Sequence, residues 1–142
     1  MTQRELEVLT VEECYALLKT AAVGRLVYQD VLGPVAVPVN FALAGRDVVF
    51  RVEGGAKRAA MEQPILAFEV DLVDSHQHAG WSVLLRGKGR ELPVEEVPQL
   101  LRDLHGQFPR PWATGVHNVW LQLTPTVVTG RLLGAEHSVL VF

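Results

Sequence analysis

The sequence predicts an α+β fold that is mainly β: six to seven antiparallel strands closing into a small barrel, with two or three short helices flanking it. Three observations lead there. Between residues 23 and 52, β-branched and aromatic residues run in short blocks cut by turn signals at hairpin spacing, the pattern of a meander. Strand-like and helix-compatible blocks then follow in the order strands, helix, strands, helix, strands, with hairpin-length connections that favour antiparallel pairing. The strand count suits a small closed sheet.

At 142 residues the chain has the size of one domain, and a single domain over residues 1–142 is expected. Hydrophobic residues make up 49% of it and charged residues 20%, which supplies one continuous core and no compositional case for disorder. The net charge is −3 and the basic residues are scattered, so nucleic acid lacks the positive footprint it needs. No apolar run approaches the roughly 20 residues of a bilayer span, and MTQRELEVLT lacks the basic-then-apolar order of a secretory leader. The expected compartment is the cytoplasm, with neither membrane nor nucleic acid as partner. Cys14 is the single cysteine and, among apolar neighbours, reads as a small core residue.

The elements follow in chain order. Thr10 with Glu13 three residues later is a capping box, so a helix begins there, and Cys14, Leu17, Leu18 and Ala21 recur on one face until Gly24. Residues 23–29, 35–43 and 48–52 read as strands of the meander. Pro38 inside the second of them has no ladder N–H, which assigns it to an edge or bulge facing something other than a neighbouring strand. EGGAKRAAME, residues 53–62, predicts a short helix, and residues 64–71 a strand. A polar loop over 72–79 precedes a long strand over 80–92, where Gly87 and Gly89 suggest bulges or a barrel corner. Residues 93–108 predict a helix that Pro98 confines to a start near Glu95. After a stiff loop at 109–115, two strands are expected, 119–123 and 124–134, with Thr124-Pro125 as the turn or bulge between them.

Residues 34–57 read as a cofactor cradle: two strands, a tight turn and a glycine-basic loop. The segment 52–58, VEGGAKR, matches neither the P-loop nor the dinucleotide fingerprint. Its turn N–H groups and the following helix N-terminus can face an anion, with Lys57 and Arg51 adding charge; the alternative is a solvated hairpin end. Asn40 either points to solvent or faces a ligand, and its closeness to Pro38 favours the ligand. Trp81 and Trp112 are placed for a pocket rim, Trp120 for the core. His76 and His78 have the spacing of a metal pair but no further ligands, so no metal site is expected. No residue pattern identifies a nucleophile or a general acid or base.

Taken in order, LTVEECYALLKTAAVGRLVY, PVAVPVNFAL, DVVFRVEGGAKRAA, LAFEVD, GWSVLLRGKGREL, PW and VTGR resemble the pyridoxamine 5′-phosphate oxidase-like family, in particular its small flavin-binding split-barrel members. The resemblance covers nearly the whole chain. It implies a six- or seven-stranded split barrel, a homodimer, and flavin mononucleotide (FMN) in a groove at the subunit interface. It implies that Pro38, Val39 and Asn40 edge the isoalloxazine and that Phe50, Arg51 and Val52 run beneath it. Lys57 with Arg51 would meet the phosphate, Trp81, Ser82 and Val83 would come from the neighbouring strand, and Trp112 would close the pocket. Related sequences carry hydroxyl residues where Val52 and Ala56 stand, and the ending TGRLLGAEHSVLVF lacks the arginine-rich tail of vitamin B6 oxidases. The function implied is a flavin-dependent oxidoreductase acting on a small molecule. The alternatives are the deazaflavin F420 as cofactor of the same fold, or a non-catalytic dimer that binds or senses a flavin or haem.

Overall fold

The computed structural model describes residues 7–104 and 118–134. Seven strands, all paired antiparallel, make one sheet: β1 (Glu7–Leu9), β2 (Val23–Asp30), β3 (Gly33–Ala44), β4 (Asp47–Glu53), β5 (Leu66–Asp74), β6 (Ala79–Glu91) and β7 (Asn118–Leu133). Their order is β1-β7-β4-β3-β2-β5-β6, and a further pairing of β6 with β7 closes the last six into a barrel, leaving β1 outside it. No helix among the described residues is long and apolar enough to cross a membrane.

The capping box forms as its residues dictate. Thr10 Oγ1 accepts from the Glu13 N–H at 3.2 Å while Glu13 Oε1 accepts from the Thr10 N–H at 3.0 Å, and α1 (Val11–Leu18) buries Cys14, Tyr15, Leu17 and Leu18. The Tyr15 hydroxyl donates to the Arg46 carbonyl at 2.6 Å, tying this helix to the β3–β4 turn. Gly24 does not end the helix; it is the second residue of β2, and the Phe68 ring fills the space where its Cβ would stand.

Two expectations are corrected in the C-terminal half. Residues 119–123 and 124–134 are one strand, β7, and the seventh strand is β1. The sheet absorbs Pro125 by a register shift: Arg86 pairs with Val127 but Gly87 with Pro125, leaving Thr126 as an extra residue on β7. Gly87 lies so close to the Thr124 carbonyl oxygen that a side chain there would collide with backbone. β5 also runs to Asp74, into the expected loop. The predicted helix starts just after Glu95, as Pro98 requires: a 3-10 turn, Val94–Glu96, leads into α3 (Val97–Asp103) with Pro98 in its first turn.

The barrel interior is built around three rings. Phe50 stacks on Phe68 with centroids 5.3 Å apart, and Phe41 meets Phe68 edge-on at the same distance. Leu26, Leu66, Val70, Val83, Leu85, Leu121 and Leu123 surround them, and Cys14, Leu17 and Leu18 of α1 join the same cluster. A second, smaller cluster lies outside the barrel, where Leu100 and Leu104 cover Val49, Leu92 and Trp120.

One side of the barrel is open. β3 pairs with β2 over residues 33–40 but with β4 only from Phe41 to Ala44, so among the described residues no second strand flanks the stretch from Gly33 to Val39. Pro38 sits in that stretch, opposite Arg25 of β2, where its missing N–H costs nothing.

Candidate functional site

Strand alternation sorts the candidate residues into three groups. On β4, Phe50 and Val52 point into the barrel and Arg51 points out; on β6, Trp81 and Val83 point in and Ser82 out. On β3, Val39 packs against the interior cluster as Phe41 does, while Pro38 and Asn40 take the outer face. Phe50, Val52, Trp81 and Val83 are therefore core residues that offer a ligand outside the barrel only their backbone. Trp81, expected at a pocket rim, is 2% exposed and belongs to the core. Trp112 lies outside the described residues.

Arg51 is the outward residue with unspent bonding capacity. Its guanidinium carbon stands 5.1 Å from the ring centroid of Trp120, its cross-strand partner on β7. Trp120 is itself 9% exposed, held from below by the cluster that α3 covers. The 3-10 turn before α3 is fastened to the sheet by a chain of polar contacts: Arg90 donates to Glu96 and to Gln122, each at 3.0 Å, and Gln122 donates to Asp47. Within this support the Arg51 Nε is buried and has no hydrogen-bond partner among the described residues. A buried donor left unpaired costs about 1–3 kcal/mol, a cost that an acceptor reaching the guanidinium would offset.

Two residues beyond Arg51 the chain enters α2 (Gly54–Met61). Glu53 is its N-cap and makes no side-chain capping bond, so the N–H groups of the first turn lack that acceptor. Lys57 lies in this helix; its side chain lies outside the described residues. Val52 and Ala56 both pack against the barrel interior. A hydroxyl at either position in this chain would turn toward the core, away from the Arg51 side, which is the physical reason apolar residues stand there.

Ser82 is not brought near Arg51. Their cross-strand partners on β7, Arg131 and Trp120, are eleven residues apart, roughly 35 Å of extended chain. Around the other side, β3 and β6 are separated by β2 and β5 in a six-stranded ring and so stand on opposite walls. Within one copy, Ser82 on β6 is therefore out of reach of a ligand held at Arg51 on β4 or at the outer face of β3.

The outer face around Ser82 forms a separate groove of about 520 Å³, whose walls include Glu69, Leu84, Arg86, Thr129 and Arg131. Sequence reasoning found only Ser82 and Val83 of its lining. Period-two alternation marks Leu84 and Arg86 as outward, but the register that sets Ser82 against Arg131 and Leu84 against Thr129 is a long-range property. On the β5 side, Arg25 donates to Glu69 at 3.0 Å and to Asp71 at 2.7 Å. Partial burial, then the hydrogen bond and charge of Asp71, push the Glu69 carboxyl above its usual value of 4.5, with Arg25 opposing.

The folded chain thus holds the Glu69 proton more tightly than the unfolded chain, and stability is lost as pH rises from about 4.5 through the raised value. Urea unfolding of wild type and Glu69→Gln across that range is expected to show the wild type losing stability relative to the variant as pH increases. Parallel pH profiles would contradict the assignment.

Comparison with known proteins agrees with this architecture. The family model described as pyridoxamine 5′-phosphate oxidase matches residues 10–132. The uncharacterized protein Rv0080 of Mycobacterium tuberculosis is 29% identical over 140 residues, 94% of this chain and 89% of that protein. Among solved structures, the FAD binding protein from Mycobacterium smegmatis is 30% identical with a TM-score of 0.68, covering 92% of this chain and 100% of its own. A FAD-binding protein from Mesorhizobium loti superposes with a TM-score of 0.73 over 94% of this chain and 100% of its own; at 20% identity it speaks for the fold alone.

Proposed function

This chain belongs to the pyridoxamine 5′-phosphate oxidase family, and on that premise we propose that it binds a flavin nucleotide, FMN, through Arg51 and acts as a flavin-dependent oxidoreductase on a small molecule. The observation that carries the reading is the Arg51 guanidinium, oriented by Trp120 and left with a buried, unpartnered Nε. A phosphate or a ring carbonyl is the acceptor such a donor fits. Bound flavin would supply the hydride-accepting and hydride-donating chemistry.

The chain's own residues supply placement. Arg51 presents fixed positive charge, the first turn of α2, without a side-chain cap, adds N–H donors two residues further along the chain, and Lys57 adds a second cation to that helix. The edge of β3 at Pro38 and Val39, where the pairing with β4 has not yet begun, offers backbone groups to a planar ring. Because Ser82 stands on the opposite wall, a site using both groups takes β6 from a second copy, and the reading includes a homodimer with the flavin between subunits.

Protein stripped of ligand is titrated with FMN and with flavin adenine dinucleotide (FAD), following flavin fluorescence, and the flavin carried by freshly purified protein is identified by mass spectrometry. Quenching by FMN at micromolar concentration, with a dimer in sedimentation, is the expected result. FAD retained in preference to FMN, as the Mycobacterium smegmatis relative suggests, keeps the flavin reading and replaces the nucleotide. Failure of both flavins to bind, or a haem Soret band in place of flavin absorption in the spectrum of the purified protein, overturns it; a flavin-loaded monomer overturns the two-chain site.

A further inference from the structure

The groove across the outer faces of β5, β6 and β7 carries chemistry that the flavin reading does not use. Arg86 lines one part of it and Arg131 another. Both side chains are exposed, and neither forms an ion pair with a carboxylate of another described residue. Their spacing follows from register. Arg131 pairs with Ser82, and Arg86 lies four residues further along β6, so the two arginines are rooted roughly 13 Å apart along the strands. Midway between them the directly opposed pair is Leu84 and Thr129, an apolar side chain beside a hydroxyl.

The contents of the groove define what it accepts. Two guanidinium groups without carboxylate partners recognise acidic oxygens, with the planar donor fork that suits carboxylate or phosphate. Leu84 between them gives a body of carbon a surface to lie on, and Ser82 and Thr129 offer hydroxyls to its ends. Glu69 stands on the same wall, but Arg25 holds it, together with Asp71, toward β2. A volume of about 520 Å³ is within the range of small-molecule sites.

We propose that this groove is a binding site for an elongated organic dianion, one acidic group held by Arg86 and the other by Arg131, with the apolar body across Leu84. The two arginines and Leu84 come from one copy, and the proposal does not rest on flavin binding, although Ser82 of the same wall is shared with the two-chain flavin reading.

The probe is azelate, a linear dicarboxylate whose ends are about 10 Å apart at the bond spacings of an extended chain, measured by calorimetry against nonanoate, its single-carboxylate counterpart of equal length. Azelate is expected to bind roughly tenfold more tightly than nonanoate, the effect of one additional charge-assisted contact. Arg86→Ala and Arg131→Ala should each reduce azelate binding to the nonanoate level. Glu69→Gln, which removes a negative charge from the wall while leaving Arg25 on Asp71, should tighten both. Equal affinity for the two acids, or azelate binding that survives the double arginine variant, overturns the proposal, as does absence of binding to folded wild type at millimolar concentration. Melting temperature and flavin content are recorded on the same samples. Flavin retained by the arginine variants while azelate binding falls separates the two sites, whereas flavin lost together with azelate binding assigns the arginines to the flavin site and overturns this proposal.

Discussion

Arg51→Met is expected to weaken flavin binding by roughly 10- to 100-fold while leaving the melting temperature unchanged or slightly raised. The direction of the second effect is the informative one. In the unliganded chain Arg51 carries a buried Nε with no hydrogen-bond partner among the described residues, a cost that an acceptor would offset. Methionine keeps an unbranched apolar stem over Trp120 and removes the orphaned donor, so packing survives and the cost disappears. Arg51→Lys should not rescue binding, because an ammonium cannot reproduce a planar fork stacked on an indole. Flavin titration beside thermal melts checks both halves. A variant that loses stability along with affinity would recast Arg51 as a structural residue, and one that keeps full affinity would remove it from the site.

Phe68→Ala is expected to produce the largest loss of stability, about 3–5 kcal/mol, with a fall of roughly 10 °C or more in melting temperature. Phe68 is fully buried, contacts both Phe50 and Phe41 through their rings, and fills the space left by Gly24 on β2. The cavity it leaves cannot close from the Gly24 side, since that residue has no side chain to move in. Phe50 shares a strand with Arg51, so slack beneath β4 also loosens the candidate site. Denaturant melts give the stability term, and reconstitution with FMN shows whether flavin affinity falls with it; a cost near 1 kcal/mol would mean that the barrel repacks.

Where local chemistry decides, reading the chain one segment at a time went far. The Thr10–Glu13 capping box involves residues three apart, and it forms as written. The hairpins over 23–53 are announced by turn residues between β-branched runs, and Pro38 marks an edge because its missing N–H is an intrinsic property. Trp81 was misjudged for an equally physical reason. Gly80 before it suggested the start of a strand at a rim, but its direction depends on which face of β6 closes the barrel, and pairing with Leu72 and Leu132 turns it inward. β7 shows the same limit: Thr124-Pro125 resembles a break, and only the extra residue opposite Arg86 and Gly87 lets one strand run through it.

The barrel class, the helix at Thr10 and the edge position of Pro38 were all legible in the order of residue types, since each depends on alternation, capping or the covalent nature of proline. Tertiary structure alone decided that Val52 and Ala56 face the core, that Ser82 stands across the barrel from β3 and far along the strands from Arg51, and that Arg86 and Arg131 share a groove. These depend on barrel closure and on registers between strands far apart in the chain. A one-residue slip in either would exchange the inner and outer faces, and nothing within a single strand specifies it.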